Sequence, residues 1–437
     1  MVKCLLKYLY ATCISIILLI ELILIKVLLM DRPENNLSKA EIRDGTKVGH
    51  VLQSRILEIS PHENNSLHPG MIYTARRERM LKACAALGTR SNSTSYVRNN
   101  VIIDRPLGIA YCPVEKIAST FWRRTMRIVV GQSRAKSPFA KSVKAFDAFY
   151  TLRSLEDSMI DRFMKKSLTF MFVRDPYSRL FSAYVDKLVS PNCDYWKGTG
   201  AFGIRLFRNN AKEVDKKCGH DITFREFVKT VIYFEEHEPF SKRNVHFTPT
   251  FEHCDPCRYQ WHLIGKLETF TSDVFHILDR MSRADIKRSL EINFKAQYLH
   301  YTIRDQCNWL FHFRKHYITD CNITFSSGPK TTMETITDPW YHQKTIDLSH
   351  LGSTEESIKK HELIQVVYNA MGDASDRSEA VRNRKDAFLE AYSTVDMDDL
   401  IKLSKIFRVD CELFGYDCKP DRLFDMRRTV SKQSFFA

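Results

Sequence analysis

Tyr111-Cys112-Pro113-Val114-Glu115-Lys116-Ile117-Ala118-Ser119-Thr120-Phe121-Trp122-Arg123-Arg124 decides the reading of this chain, together with a second stretch, Phe172-Val173-Arg174-Asp175-Pro176-Tyr177-Ser178-Arg179-Leu180-Phe181-Ser182-Ala183-Tyr184. Each reads as an apolar strand, a tight turn and a helix. In the first, Leu107 to Tyr111 suits a short buried strand. Pro113 breaks it, and Ser119 and Thr120 open an amphipathic stretch, Trp122 to Val130, that suits a helix. A helix N-terminus offers free backbone N–H groups and the positive end of a dipole, so it binds anions. Lys116 adds a mobile point charge, as the lysine of a P-loop does. The same residues also fit an ordinary strand-turn-helix with a solvent-exposed lysine, and without glycines the segment is not a Walker A sequence. In the second stretch, Ser167 to Val173 suits a buried strand of β-branched and aromatic residues. Arg174 follows at its C-terminal end, the edge where open α/β sheets bind ligands. Pro176 suits the first turn of a helix. Arg174 can fork onto a phosphate while Ser182 donates its hydroxyl to the same group; alternatively Arg174 and Asp175 form a local salt bridge. Two phosphate-cradling turns in one domain point to a nucleotide donor with phosphates at both ends.

Together the two stretches resemble the donor-binding elements of Golgi carbohydrate sulfotransferases of the chondroitin/dermatan 4-O-sulfotransferase type. Cys112, Val114, Lys116, Ala118, Ser119, Thr120, Trp122 and Arg124 match that family's 5′-phosphosulfate loop. Arg174, Asp175, Pro176, Arg179, Leu180, Ser182, Ala183, Tyr184 and Lys187 match its 3′-phosphate loop. Two further stretches are similar in the same order. One is His246-Phe247-Thr248-Pro249, then Cys254-Asp255-Pro256-Cys257, then Gly265-Lys266-Leu267-Glu268-Thr269; the other is Val409-Asp410-Cys411-Glu412-Leu413-Phe414-Gly415-Tyr416. The chain departs from the pattern at four places. Glu115 stands for Pro, Phe121 for a polar residue, Phe247 for Trp and Cys411 for Phe, which marks a divergent member. Glu115 would repel an anionic donor unless it points away or pairs with Arg123.

The resemblance implies an α/β fold, a P-loop-like parallel sheet flanked by helices, preceded by a transmembrane helix and a stem. It implies sulfate transfer from 3′-phosphoadenosine 5′-phosphosulfate to a sugar hydroxyl, on a chondroitin/dermatan-like or other N-acetylgalactosamine-containing glycan, with no metal. Lys116 would neutralise the bridging oxygen of the leaving group. Ser119 and Thr120 would hold the 5′-phosphate, and Arg174 and Ser182 the 3′-phosphate. Among fifteen histidines, His246 is the expected base because imidazole titrates near neutrality; a structural or acceptor-orienting role is the alternative. Glu115 and Glu268 are weaker candidates. Arg179 is expected on a helix face.

Leu5 to Met30, interrupted by Glu21 and Lys26, is nearly all apolar and long enough to span a bilayer, and Lys3 and Lys7 at its N-terminal end favour a cytosolic N-terminus; a cleaved signal peptide is the alternative. The expected organisation is therefore a cytosolic tail (1–8), a signal anchor (9–30), a lumenal stem (31–100) and a lumenal catalytic domain (101–437) of a single-pass type II Golgi membrane protein. Sequons at Asn36, Asn64, Asn92 and Asn322 agree with a lumenal address. Of twelve cysteines, Cys4 and Cys13 lie in or beside the anchor; the rest are even in number, which permits full disulfide pairing. Cys254-x-x-Cys257 has no second Cys or His pair at structural-zinc spacing, so disulfides are favoured over zinc. The net charge of +14 over 437 residues suits acidic glycans or lipid headgroups, and no nucleic-acid motif accompanies it.

Outside these motifs, a helical stretch is expected near Phe146 to Arg153, a strand at Leu263 to Lys266, a helix from Ser272 to Met281 and two helices over 375–408. The basic residues Lys212, Lys216, Lys217, Arg225, Lys242 and Arg243 either roof an acceptor cleft or coat a solvated surface. Two rival functions remain. Asp396-Met397-Asp398 matches the metal-binding pair of type II Golgi glycosyltransferases that use a sugar nucleotide, although it sits where acids cap a helix. A non-catalytic acidic-glycan-binding protein is the other.

Overall fold

Four strands form one sheet in the order β1 (Ile102–Asp104), β2 (Ile109–Cys112), β3 (Leu168–Val173) and β4 (Leu263–Lys266). The computed structural model describes residues 69–88, 93–190, 192–321, 359–372 and 377–425. β2, β3 and β4 are parallel, and β1 is an antiparallel edge strand, so the expected parallel sheet is a mixed one. Parallel neighbours need long crossovers. Here each parallel strand feeds a helix: Ser119–Val129 after β2, Pro176–Tyr184 after β3 and Phe270–Arg280 after β4. The C-terminal ends of β2 and β3 thus launch the two turns read from the sequence.

The core explains one departure from the family pattern and one glycine that keeps to it. Trp122 is fully buried against Phe170 and Phe172. Its neighbour Phe121 packs against Phe139, Phe270 and Phe294, which no polar side chain at that position would do. Gly265 of β4 lies under the Phe172 ring, where an added Cβ would come within 2.4 Å of ring carbon; the close approach requires glycine.

Several expectations change. The helix Pro69–Leu87, expected in the stem, folds onto the domain: Arg76 donates to the Ile264 carbonyl (2.9 Å), Asp273 (2.8 Å) and Thr269 (2.8 Å), and Cys84 is bonded to Cys257. Phe146 to Arg153 is not an α-helix; only its end enters a short 3-10 turn, Leu152–Ser154. The Ile103 N–H donates to the Tyr150 carbonyl and the Leu152 N–H to Val101, so Tyr150 and Thr151 are drawn beside the edge strand, and Phe146 is 74% exposed. The long helix Ala284–Cys321 was not read from the sequence, although Ile286, Leu290, Phe294 and Tyr298 are buried along one face. The 375–408 region holds helices at Arg377–Ser393 and Met397–Ile406.

The basic stretch is largely a paired surface: Lys216 with Glu213, Arg225 with Asp396, Lys242 with Glu238, and Arg243 with Glu235 and Glu252. Disulfides join Cys84–Cys257, Cys112–Cys254 and Cys411–Cys418. The two cysteines of the Cys-x-x-Cys pair therefore have different partners and form neither a zinc pair nor a redox dithiol. Cys411, which replaces Phe, is used in a bridge. Cys307 keeps a buried free thiol, so pairing is not complete. The expected anchor (9–30) and all four sequons lie outside the described residues. Among the described residues no helix is long and apolar enough to cross a membrane.

Candidate active site

The loop after β2 takes two left-handed backbone turns, at Lys116 (φ 67°) and Ala118 (φ 56°). Non-glycine residues pay steric strain there, and such strain gathers at functional sites. The turns bring backbone N–H groups round to the start of the helix Ser119–Val129, an arrangement suited to anions. Arg174, at the end of β3, donates from Nη1 to the Lys116 carbonyl at 3.1 Å. This contact joins the two turns. Arg174 is 2% exposed, and its Nε is buried without a partner among the described residues. Burial, aided by Arg384, pushes its pKa down to about 9, which still leaves a cation at neutral pH. A buried cation with an unused donor fits a phosphate ligand.

The Lys116 ammonium pairs with Asp186 at 2.9 Å, and Lys187 reaches the same carboxylate at 3.1 Å. Burial lowers the Lys116 pKa more than Asp186 raises it. Burial opposes the Asp186 carboxylate, but Lys116 and Lys187 hold it well below its usual range. Asp186 lies in a π-helical turn, Val185–Val189, that continues the helix Pro176–Tyr184; such turns recur at functional sites. The sequence reading missed Asp186, and its only signal was a carboxylate adjoining the matched Lys187.

His246 lies beside this cluster. Its Nδ1 is 2.8 Å from the Tyr195 hydroxyl and 3.0 Å from Asn244 Oδ1, and its Nε2 is 4.0 Å from Glu115 Oε2. Burial, with help from Lys187, lowers its pKa to about 4, so the ring is neutral at pH 7. Glu115 pairs with Arg123 at 3.5 Å and accepts the Ser119 hydroxyl at 2.8 Å. Burial would raise the Glu115 pKa, but His246, Arg123 and Ser119 together bring it below its usual value. With His246 neutral at pH 7, the remaining groups that favour its carboxylate form are Arg123, Ser119 and Lys187. Glu115 thus pairs with Arg123 as the conditional reading required, and it also takes the hydroxyl expected on the 5′-phosphate. Ser119 still presents its backbone N–H at the helix start. Thr120 is half-buried in that first turn. Ser182 is buried on the helix after Arg174.

Arg179 corrects the sequence reading most sharply. It does lie on the helix Pro176–Tyr184, but on its buried face: it is 3% exposed and donates to the carbonyls of Glu115 (2.9 Å), Val245 (3.2 Å) and Thr248. It therefore ties the Lys116 loop to the His246 loop. The Cys112–Cys254 disulfide makes a second tie between the same segments. Phe247, which replaces Trp, is buried against Phe227 at 5.0 Å. Asp410, from the C-terminal motif, accepts the N–H groups of Thr250 and Phe251 at 2.6 and 2.8 Å.

Glu268 is not placed as a base. It accepts the Asp175 N–H at 2.9 Å and the Tyr416 hydroxyl at 3.0 Å, so it fastens the third and fourth motifs to the Arg174 turn. Asp396 is at the N-terminal boundary of its helix, paired with Arg225 (2.7 Å) and Lys229 (3.1 Å), while Asp398 is exposed. Among the described residues no group of three or more His, Cys, Asp or Glu is placed to hold a metal ion.

Residues 99–309 match the model of the sulfotransferase family. The chain is 29% identical over 218 residues to carbohydrate sulfotransferase 11 of Rattus norvegicus, covering 48% of this chain and 61% of the relative. It is 30% identical over 182 residues to carbohydrate sulfotransferase 14 of Danio rerio, covering 42% and 48%. It is 27% identical over 252 residues to carbohydrate sulfotransferase 12 of Xenopus laevis, covering 50% and 59%. The chain thus spans less than two thirds of the length of these relatives. No solved structure matches it significantly.

Proposed function

We propose that this chain, whose residues 99–309 match the model of the sulfotransferase family, transfers the sulfuryl group of 3′-phosphoadenosine 5′-phosphosulfate to a hydroxyl of a glycan. The observation that carries the reading is the 3.1 Å contact between Arg174 and the Lys116 carbonyl. It sets two anion-suited turns side by side at the C-terminal ends of β2 and β3, as a donor with phosphates at both ends requires.

Arg174 and Ser182 bind the 3′-phosphate. The strained loop and the N–H groups of Ser119 and Thr120 bind the 5′-phosphate. Lys116 faces the bridging oxygen, where negative charge grows as the sulfur–oxygen bond breaks; such electrostatic contacts are a large share of catalysis when charge rather than covalency is handled. On this reading Lys116 exchanges its contact with Asp186 for the donor, and Asp186 and Lys187 keep it aimed. The neutral His246 takes the proton of the attacking hydroxyl through Nε2, while Asn244 and Tyr195 fix its ring at Nδ1. No step calls on a metal.

The family resemblance favours a chondroitin/dermatan-like or another N-acetylgalactosamine-containing acceptor, and the apolar N-terminal run and the disulfides support a Golgi-lumenal enzyme anchored by residues 9–30. The test is incubation of the full-length chain with radiolabelled donor and a panel of desulfated glycans, followed by disaccharide analysis. Labelled product identifies the sugar and the position. Activity that disappears with chelator, or donor binding without any transfer, would overturn the reading in favour of a metal-dependent glycosyltransferase or a glycan-binding protein.

A further inference from the structure

We propose that Glu115 is the positioning partner of His246, holding the imidazolium that forms when Nε2 takes the acceptor's proton. This deepens the sulfotransferase reading and rests on it for the identity of the reaction. The geometry is specific. The 4.0 Å between Glu115 Oε2 and His246 Nε2 is too long for a hydrogen bond, so the Nε2 lone pair stays open to a substrate hydroxyl. It is short enough for an ion pair once the ring is protonated. Glu115 is kept in place by Ser119 at 2.8 Å and Arg123 at 3.5 Å, and both contacts favour its carboxylate form. Asn244 and Tyr195 engage Nδ1, which leaves Nε2 as the reacting nitrogen.

The charges around His246 show why a partner is needed. Lys187 and Lys116 disfavour the imidazolium, His253 adds repulsion when charged, and Asp186 and Glu115 favour it. Asp186 pairs with the two lysines, whereas Glu115 lies 4.0 Å from Nε2 and favours the charged ring more strongly than Asp186 does. The position carries Pro in the resembled motif, which has no side chain for this purpose. In the step, the acceptor oxygen bonds to sulfur as the bond from sulfur to the 5′-phosphate oxygen breaks. The bisphosphate nucleotide leaves with that electron pair. The hydroxyl proton moves to Nε2 and is later lost to solvent. Ser119 then serves Glu115 with its hydroxyl and the donor with its backbone N–H.

The test compares full-length wild type with Glu115→Gln by two readouts. Histidine-selective 15N NMR follows the His246 titration without any reaction, and steady-state kinetics follow transfer across pH. Glu115→Gln should lower the His246 pKa by about one unit or more and reduce kcat by about tenfold to a hundredfold, within the range for general-base contributions. Affinity for 3′-phosphoadenosine 5′-phosphate should be equal or tighter, because an acid beside the anion is gone. An unchanged His246 pKa in Glu115→Gln overturns the proposal. So does lost nucleotide affinity with normal kcat at saturation. If Glu115→Gln fails to fold, Glu115→Asp decides: its shorter carboxylate should lower the His246 pKa by a smaller amount and kcat in proportion, and no change in either overturns the pairing. If the wild type transfers no sulfate, the functional reading fails while the NMR titration still decides the pairing.

Discussion

Arg179→Lys keeps a positive charge at a position that the sequence placed on a helix face, and the structure makes it one of the costliest substitutions in the site. The guanidinium donates to three carbonyls, those of Glu115 at 2.9 Å, Val245 at 3.2 Å and Thr248. These belong to two loops that no secondary structure joins. A lysine ammonium lacks the planar fork and reaches one or two of them at most. Each buried carbonyl left without a donor costs roughly 1–3 kcal/mol, so the loss is on the order of 2–4 kcal/mol for Lys. Arg179→Met removes this donor from all three, although the Thr248 hydroxyl still reaches the Val245 carbonyl at 3.4 Å; the loss is on the order of 2–5 kcal/mol, discounted because a buried charge is also removed. Either is a large share of the about 5–15 kcal/mol by which proteins are stable. Any surviving folded fraction should also turn over slowly, because a shift of about 1 Å between Lys116 and His246 is enough to cost roughly a hundredfold. Denaturant unfolding of the full-length chain, with kcat measured on the same preparations, checks both effects. An Arg179→Lys protein with the wild-type unfolding midpoint and the wild-type kcat would refute the clamp.

Arg174→Lys should weaken binding of 3′-phosphoadenosine 5′-phosphate by at least about tenfold, since a fork contact is lost; equal affinities by calorimetry would sink the 3′-phosphate assignment. Lys116→Ala should lower turnover by roughly two orders of magnitude, whereas His246→Ala should abolish turnover and leave nucleotide affinity intact, a split that single-turnover kinetics and calorimetry resolve. The Glu235 pKa is raised to about 7 by burial, against the pull of Arg243 and with repulsion from Glu252. Stability from this group is therefore fully present below its ordinary value near 4.5 and lost as pH rises through about 7. Thermal unfolding between pH 5 and 8 should fall more steeply for wild type than for Glu235→Gln; parallel curves would show that the carboxyl does not titrate there.

The strands after which the two turns begin were legible because they are local: Leu168–Val173 is an apolar run broken only by the β-branched Thr169, and Pro176 marks the next helix. The same holds for Leu263–Lys266 and for the helix that Ser119 opens. Lys116, Arg174 and His246 could be chosen because residue type and place along the chain announce a charge or a proton acceptor. Their mutual positions could not.

Local periodicity failed where distant partners compete with it. Phe146 to Arg153 has residues that suit a helix, yet the backbone of Val101 and Ile103 captures Tyr150 to Leu152 beside the edge strand. Pro69–Leu87 looked like stem until Arg76 met β4 and Asp273. An even number of cysteines allowed pairing but could not choose it, because each bridge depends on which loops the core brings together. The same reason governs the site. The sequence by itself determined the two anion-suited turns and the residue types that would serve them. Only the tertiary structure decided that Arg179 points inward to bind three carbonyls, that Asp186 holds Lys116 and that Glu115 faces His246. Side-chain direction and contacts between residues far apart in the chain arise from packing, and no local pattern encodes them.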